Sequence, residues 1–301
     1  MAASGTSFPR LSPRQQRSLL GKVLFTVAIL ALVFAVVAPF AWMAISSISS
    51  QTELASKPPN WIPTEPTLNR YRMLFTGSQL GQTSMPAGVE KFLRGLTSSL
   101  VVSVITTAVC VVVGSMAAYA LARMHVPGKN QFMLVILSSQ MLPVIVIIIP
   151  LYLMMQQFDL MDSWRGLVLL YSGFMLPTVI WIMHSYFLTL PHELEEAAQI
   201  DGCTRLQAFV RVIVPLSGPG LVAVSAFTFL SSWNEFFMAL IFSGSHAKTI
   251  TVVVTEFSSQ FGTDYGLMAT GGVIGSIPPL LLAFLLQRYI VAGLTAGAVK
   301  G

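Results

Sequence analysis

Pro191 to Arg205 reads P-H-E-L-E-E-A-A-Q-I-D-G-C-T-R, and Glu193, Glu195 and Glu196 place three of the chain's 12 acidic side chains within four residues. Such density raises metal ligation, catalysis, or the charged opening of a helix. His192-Glu193 begins as the helical zinc motif H-E-x-x-H does, in which two histidines one turn apart share a face and hold the metal. The fifth position here is Glu196, so the second ligand is missing and no metal site is supported. Cys110 and Cys203 lie far apart and match no metal or redox spacing. No Ser, His and acid arrangement marks a nucleophile, so no catalytic residue is assigned. Nor does any G-x-x-x-x-G-K-[ST] loop offer a cradle for ATP phosphates. The helix reading is left, with the three acids complementing the positive end of a helix dipole.

Local chemistry fills in that helix. Pro191 stands where a first-turn proline is tolerated, because its missing N–H would be unpaired there anyway. Asp201-Gly202 supplies the stop, glycine taking the left-handed conformation a helix end often needs. Thr204 caps a second helix through Arg211 to Val214, which Pro215 ends. The sequence therefore predicts helix, tight turn, helix. Ala197 and Ala198 let another surface approach the backbone closely. An amphipathic surface hairpin and a surface built to be gripped by another protein both satisfy this chemistry.

The surroundings of this segment are hydrophobic. The 301 residues are 54% hydrophobic and 10% charged, against about 25% charged in soluble domains, so the chain belongs in a lipid bilayer. Its net charge of +5 is scattered rather than gathered on one stripe, which excludes a nucleic-acid footprint. Six stretches are long and apolar enough to cross about 30 Å of hydrocarbon, near Val23–Ile48, Gly95–Ala122, Phe132–Met155, Trp164–Phe187, Gly220–Phe242 and Met268–Ala292. Each is expected to be helical, since a spanning segment must satisfy its own backbone. Arg10, Arg14, Arg17 and Lys22 precede the first run, which exceeds the roughly 7–15 residues of a cleavable signal core and reads as a retained span.

Lys and Arg set the orientation. With the N-terminus inside, the cytoplasmic segments hold Arg10, Arg14, Arg17, Lys22, Arg123, Lys129, Arg205, Arg211, Arg288 and Lys300, whereas the short outer loops hold Arg165 and Lys248. Both termini are cytoplasmic on this reading, and so is the acidic hairpin. The expected organisation is a cytoplasmic segment 1–22, a six-helix membrane domain 23–292 and a cytoplasmic tail 293–301. Within the membrane domain lie an outer loop 49–92, the acidic loop 188–218 and an outer loop 243–267. The first outer loop is too short for a core of its own, and is expected to cap the outer face or meet an external partner.

Four features inside the spans bear on function. Glu235, beside Asn234 in the fifth span, is costly in hydrocarbon; it either faces a cavity or clasps a neighbouring helix. Pro143 and Pro150 in the third span, Pro177 in the fourth and Pro278-Pro279 in the sixth are expected to kink or unwind their helices, which in transporters can line the pathway. Gly271 and Gly275 make a small-x-x-x-small face for close packing. His184 is read as interfacial.

Glu196-Ala197-Ala198, then Gly202, Val212, Val214 and Pro215 at their spacing, resemble the EAA loop of ABC importer permeases, with Val where that family usually has Ile and Leu. A-A-Y-A-L-A-R (Ala117 to Arg123) with Pro127-Gly128 resembles the end of the family's second span and its turn. W-N-E-F (Trp233 to Phe236) and Q-R-Y-I-V-A-G-L-T-A-G-A-V-K-G (Gln287 to Gly301) are similar to the carbohydrate subgroup, the maltose-type smaller permease. The resemblance runs in order from about Arg70 to the end.

The resemblance implies an all-α integral membrane protein of type I ABC importer permease architecture, in the plasma or inner membrane of a bacterium or archaeon. It implies that Glu195, Glu196, Ala197, Ala198, Asp201, Gly202 and Pro215 couple to a cytoplasmic ATPase, and that Thr295, Gly297, Lys300 and Gly301 form a tail touching it. It makes Gln260, Gly262, Asp264 and Tyr265 contacts for an external solute-binding protein; Asn234, Glu235, Pro143 and Pro177 are candidates for the pathway on the physical grounds above. The expected assembly pairs this chain with a homologous second permease and two ATPase subunits. No cofactor is expected on this chain, ATP and Mg belonging to the ATPase. The implied solute is a di- or oligosaccharide, with a polyol or glycerol phosphate as alternatives. An ion-gradient transporter using Glu235 is the rival class.

Overall fold

The computed structural model describes residues 13–58, 60–76, 89, 91–259 and 262–296. Its helices in chain order are α1 (Pro13–Ile48), α2 (Gln51–Leu54), α3 (Asn69–Thr76), α4 (Phe92–Arg123), α5 (Lys129–Ser139), α6 (Val144–Gln157), α7 (Trp164–Thr189), α8 (Glu193–Ile200), α9 (Arg205–Ala208), α10 (Val214–Leu216), α11 (Gly218–Trp233), α12 (Phe237–Phe242), α13 (Ile250–Thr255) and α14 (Tyr265–Ala296). A π-helical turn, Phe209–Ile213, joins α9 to α10, and a two-stranded ribbon, β1 (Ser258–Ser259) with β2 (Gly262–Thr263), precedes α14.

Gly21–Ile48, Phe92–Arg123, Trp164–Thr189 and Tyr265–Gln287 are each long and apolar enough to cross a membrane unbroken. The other two predicted spans are interrupted, the third at one of the prolines expected to disturb it. The third is the pair α5 and α6, bent by 93°. Pro143 lacks an N–H and forces the residue before it away from helical angles, so the chain turns there. The fifth is α11 followed by α12, separated at Asn234, Glu235 and Phe236. Pro150 and Pro177 lie inside α6 and α7, and Pro278 and Pro279 inside α14, without ending those helices.

Small residues bring the central helices together. Gly95, Ser98, Ser99, Ser103, Gly114, Ser115 and Ala118 are all on the buried face of α4. A Cβ added at Gly114 would lie 2.6 Å from Val179 of α7, so any side chain there would force Val179 or the helices to shift. Where lipid outside is as apolar as the core inside, such close backbone approach is what favours helix contact. One buried cluster holds Tyr119, Met183, Phe187, Phe209 and Ile213; a second holds Leu74, Phe92, Phe229, Trp233 and Phe257. Gly271 packs under Val254 and Phe257, and Gly275 under Ile250, so the small face of α14 serves α13.

The T-I-T-V-V-V-T stretch in the last outer loop folds as α13, with Ile250, Val252 and Val253 buried against α4 and α14. The first outer segment is tied down as well. Ser50 and Glu53 form a reciprocal capping box, and Glu53 also accepts from the backbone N–H and hydroxyl of Thr64. Those bonds, the Thr64 hydroxyl foremost, hold the Glu53 carboxyl down at about 2. Arg70 on α3 donates to the Ser49 carbonyl and pairs with Asp264 at 3.5 Å, locking the segment to the start of α14. From Gly21 to Val37, by contrast, every residue of α1 is exposed; the helix docks on α14 only further along, where Thr270 donates to the Ser47 carbonyl at 3.2 Å.

Candidate functional site

The acidic hairpin forms as two arms about a left-handed glycine. α8 begins at Glu193, after Pro191 rather than around it, and the His192 carbonyl accepts from the N–H groups of Glu195 and Glu196 at 3.0 and 3.2 Å. Gly202 has φ +87°, and the Cys203 N–H returns to the Ala198 carbonyl at 3.0 Å. Thr204 and Gln207 then cap the second arm reciprocally. Pro215 does not end that arm, contrary to expectation. The backbone widens into the π-helical turn just before it and continues to Leu216, so the missing proline N–H is accommodated without a stop. Ser217 then marks a 79° bend into α11.

The arms divide into an inner and an outer face. Ala198, Ala208, Phe209 and Ile213 are buried. Outside stand Glu193, Glu196, Ala197, Asp201 and Gly202, together with Leu194, Ile200 at 85% exposure, Leu206 at 63% and Val210. Apolar residues so exposed beside acids make a surface shaped for contact.

Glu195 belongs to the other face. It is 7% exposed, and the Tyr119 hydroxyl of α4 donates to its Oε1. The Tyr119 ring lies 4.5 Å from Phe209 and meets Phe187 edge-on. One turn further along α4, Arg123 donates through Nη2 to the Phe187 and Leu190 carbonyls at 2.7 and 2.6 Å, satisfying the end of α7. Two residues of one helix thus hold the root of the hairpin. Sequence reasoning placed Tyr119 and Arg123 in a motif but missed this work. Their spacing of four, which puts both on one face of α4, was the available signal.

The fifth-span candidates sit at the break. Asn234 is exposed, and its amide donates to the Leu230 carbonyl at 2.9 Å, competing with the helical ladder. Glu235 accepts from the N–H groups of Met238 and Ala239 at 3.0 and 3.1 Å and so caps α12. Both of its carboxylate oxygens are thus engaged within its own span. A cavity of about 310 Å³ beside the break is lined by Trp233, Asn234, Phe236, Thr251 and Ser276. Neither Pro143 nor Pro177 lines that cavity; the first caps the start of α6 and the second lies within α7.

At the opposite end of α7, Asp162 accepts from the backbone N–H groups of Gly244, Ser245, His246 and Ala247 at 2.7 to 3.0 Å. Partial burial alone would raise its pKa, but the four donors outweigh that and leave the carboxyl below its ordinary value. Nothing in the local sequence singles out Asp162.

Among the proposed binding-protein contacts, Tyr265 is exposed and Gly262 lies in β2. Asp264 is engaged with Arg70 and accepts from the Leu267 N–H at 2.8 Å, capping α14. Gln260, Gly297, Lys300 and Gly301 lie outside the described residues; Thr295 falls within α14. Among the described residues no group of His, Cys, Asp and Glu could hold a metal.

Residues 110–296 match the family described as binding-protein-dependent transport system inner membrane component. The chain is 38% identical to the trehalose transport system permease protein SugB of Mycobacterium tuberculosis (strain CDC 1551 / Oshkosh), covering 87% of this chain and 92% of that one. It is 34% identical to the diacetylchitobiose uptake system permease protein DasC of Streptomyces coelicolor, covering 95% and 100%. To the trehalose/maltose transport system permease protein MalG of Thermococcus litoralis it is 30% identical, over 95% and 99%. The fold matches a chain of a bacterial ABC transporter involved in the import of the acidic polysaccharide alginate, with a TM-score of 0.76 at 18% identity over 94% of this chain and 99% of that one.

Proposed function

This chain belongs to the binding-protein-dependent transport system inner membrane component family, and from that membership we propose how it works as the permease subunit of a sugar ABC importer. It is a multi-pass protein of the cell membrane. The names of its relatives, which specify trehalose, diacetylchitobiose and trehalose/maltose, support a di- or oligosaccharide as solute.

The observation that carries the mechanism is the two-faced hairpin, anchored through Tyr119 and Arg123 and presenting Leu194, Ile200, Leu206 and Val210 outward. In the proposed assembly, this permease pairs with a homologous second permease, two cytoplasmic ATPase subunits and an external solute-binding protein. Glu196, Ala197, Asp201 and Gly202 meet the ATPase surface, while Glu195, Ala198 and Pro215 shape the hairpin that reaches it. The tail carrying Thr295, Gly297, Lys300 and Gly301 supplies a second contact. ATP and Mg are held by the ATPase, and this chain performs no catalysis. ATP-driven closure displaces the hairpin, and α4 and α7 move with it because Tyr119, Glu195 and Arg123 join them. Closure thereby favours one permease conformation, which is all a coupled equilibrium needs.

On the outer side Tyr265 and the β1–β2 ribbon with Gln260 and Gly262 face the binding protein, with Asp264 fixing their base. The solute passes the α11–α12 break, where Trp233 and Phe236 offer aromatic faces and Asn234 an amide. The bend at Pro143 and the backbone N–H missing at Pro177 within the continuous α7 let the helices around the pathway flex. Glu235 has both carboxylate oxygens on α12, which does not favour an ion-gradient mechanism.

Gly202→Trp in the reconstituted complex tests the coupling role. An added Cβ meets nothing within 4 Å at Gly202, so the bulky side chain projects into the space assigned to the ATPase. Membrane insertion should persist, while stimulation of ATP hydrolysis by loaded binding protein should disappear. Gly202→Ala, which carries the same left-handed strain of roughly 1–2 kcal/mol, should retain most of it. Full stimulation in the Trp variant would overturn the assignment.

A further inference from the structure

Two cavities at the end of α4 and α7 farthest from the hairpin share a wall. The first, of about 770 Å³, is lined by Arg94, Trp164, Arg165 and His246. The second, of about 420 Å³, lies between Ile105 and Val109 of α4 and Val168 and Leu169 of α7, and its lining is almost wholly apolar. Trp164 and Arg165 line both. Charged chemistry at the helix ends therefore passes directly into hydrocarbon chemistry along the same two helices. Val109 lies fifteen residues beyond Arg94 on α4, roughly 22 Å at 1.5 Å per residue, about the reach of an acyl chain below its headgroup.

The ion pairs among the described residues are Arg70 with Asp264 and Lys248 with Glu256, so neither Arg94 nor Arg165 is paired. The carboxylate in the cup's wall, Asp162, is committed to four backbone N–H groups. Trp164 stands at the junction, its indole N–H donating to the Ser98 hydroxyl at 3.0 Å, in the position tryptophan takes at a membrane boundary.

We propose that this double cavity seats an anionic phospholipid of the outer leaflet, its phosphate between Arg94 and Arg165 and one acyl chain in the groove of Ile105, Val109, Val168 and Leu169. A free phosphate would answer the arginines but leave the groove empty. A neutral lipid would fill the groove but leave two cations unanswered, and so would an apolar helix of a second subunit. Basic pockets between membrane helices take anionic headgroups on these grounds. The proposal rests on the chain being a membrane permease and is independent of the hairpin's role.

The test uses the assembled transporter, delipidated in detergent and offered equal phosphatidylglycerol and phosphatidylcholine, with retained lipid counted by native mass spectrometry. Wild type should retain phosphatidylglycerol. The Arg94→Gln/Arg165→Gln double variant should bind it about 30-fold less tightly, from about 1 kcal/mol per basic residue near the surface. The Arg94→Lys/Arg165→Lys variant should keep most of the binding, which separates lost charge from lost fold. Val109→Trp should weaken retention with both arginines in place. Equal retention by the Gln variant, equal retention of phosphatidylcholine, or no effect of Val109→Trp would each overturn the proposal. So would near-complete cross-linking of Leu169→Cys to the second permease subunit.

Discussion

The two ends of α7 are fastened in opposite ways. At its start, Asp162 is met by four backbone N–H groups from one neighbouring loop, and nearby Lys248 pairs with Glu256. At its finish, Arg123 reaches two carbonyls with Nη2 while its buried Nε and Nη1 find no acceptor, and Glu195 accepts from Tyr119 at Oε1 while its buried Oε2 finds no donor. The Asp162 end gathers one loop onto one carboxylate, although Arg165 there is in no ion pair and the buried Oε2 of Glu256 also finds no partner. The hairpin end is held at a few points, carries half-satisfied charged groups, and displays Ile200 and Leu206 to its surroundings. An element that must move with a partner is well served by that arrangement, because a fully satisfied root would resist rearrangement and a loose one would transmit nothing. Buried polar groups left partly unmet are costly in a fixed core, and their place here is beside the proposed handle.

That contrast can be broken by substitution. Arg123→Ala should have the largest effect, removing two charge-assisted bonds and lowering stability by about 3 kcal/mol. In the reconstituted complex it should also disconnect ATP hydrolysis from transport, read as unstimulated hydrolysis with lost sugar uptake. Tyr119→Phe should cost about 2 kcal/mol, since Glu195 stays buried without its donor. Uptake should fall more steeply than the thermal midpoint would suggest. Asp162→Asn should cost about 1 kcal/mol, because the partly exposed N–H groups can turn to water, and it should leave coupling intact. Coupling lost with Asp162→Asn but kept with Tyr119→Phe would invert the comparison.

The smallest expected effect is one of pH. Asp162 has a folded pKa below its ordinary value of 3.8, so the unfolded chain takes up the proton first as pH falls. Its contribution to stability is complete above 3.8 and fades as pH drops through the folded value. The difference in thermal midpoint between wild type and Asp162→Asn should therefore be constant near neutrality and shrink on acidification below pH 4 or so. A difference that grows on acidification would contradict the clasp.

Much of this architecture is legible in local chemistry. Hydropathy marks the four unbroken spans, because a helix in hydrocarbon must be apolar along its length. The turn at Gly202 and the cap at Thr204 are backbone requirements that residue type states outright. Pro143 announced a disturbance but not its size, since a proline tolerated inside α6 at Pro150 and inside α7 at Pro177 becomes a 93° bend only where neighbours allow it. For Glu195, dipole matching explains an acid early in a helix equally well whether it faces outward or inward. The inward choice is made by Tyr119, 76 residues away in sequence.

By itself the sequence determined the bilayer as solvent, the order of the spans, the helix–turn–helix hairpin and, through its resemblance, the family, because each depends on residue type at short range. The tertiary structure alone decided which acid became an anchor, which carbonyls Arg123 caps, that Asp162 gathers a loop more than 80 residues distant, and that Arg94 and Arg165 share one cup. Those pairings follow from how closely α4 and α7 pack along a face of glycine and serine, and no local period encodes which polar groups that approach will bring within reach.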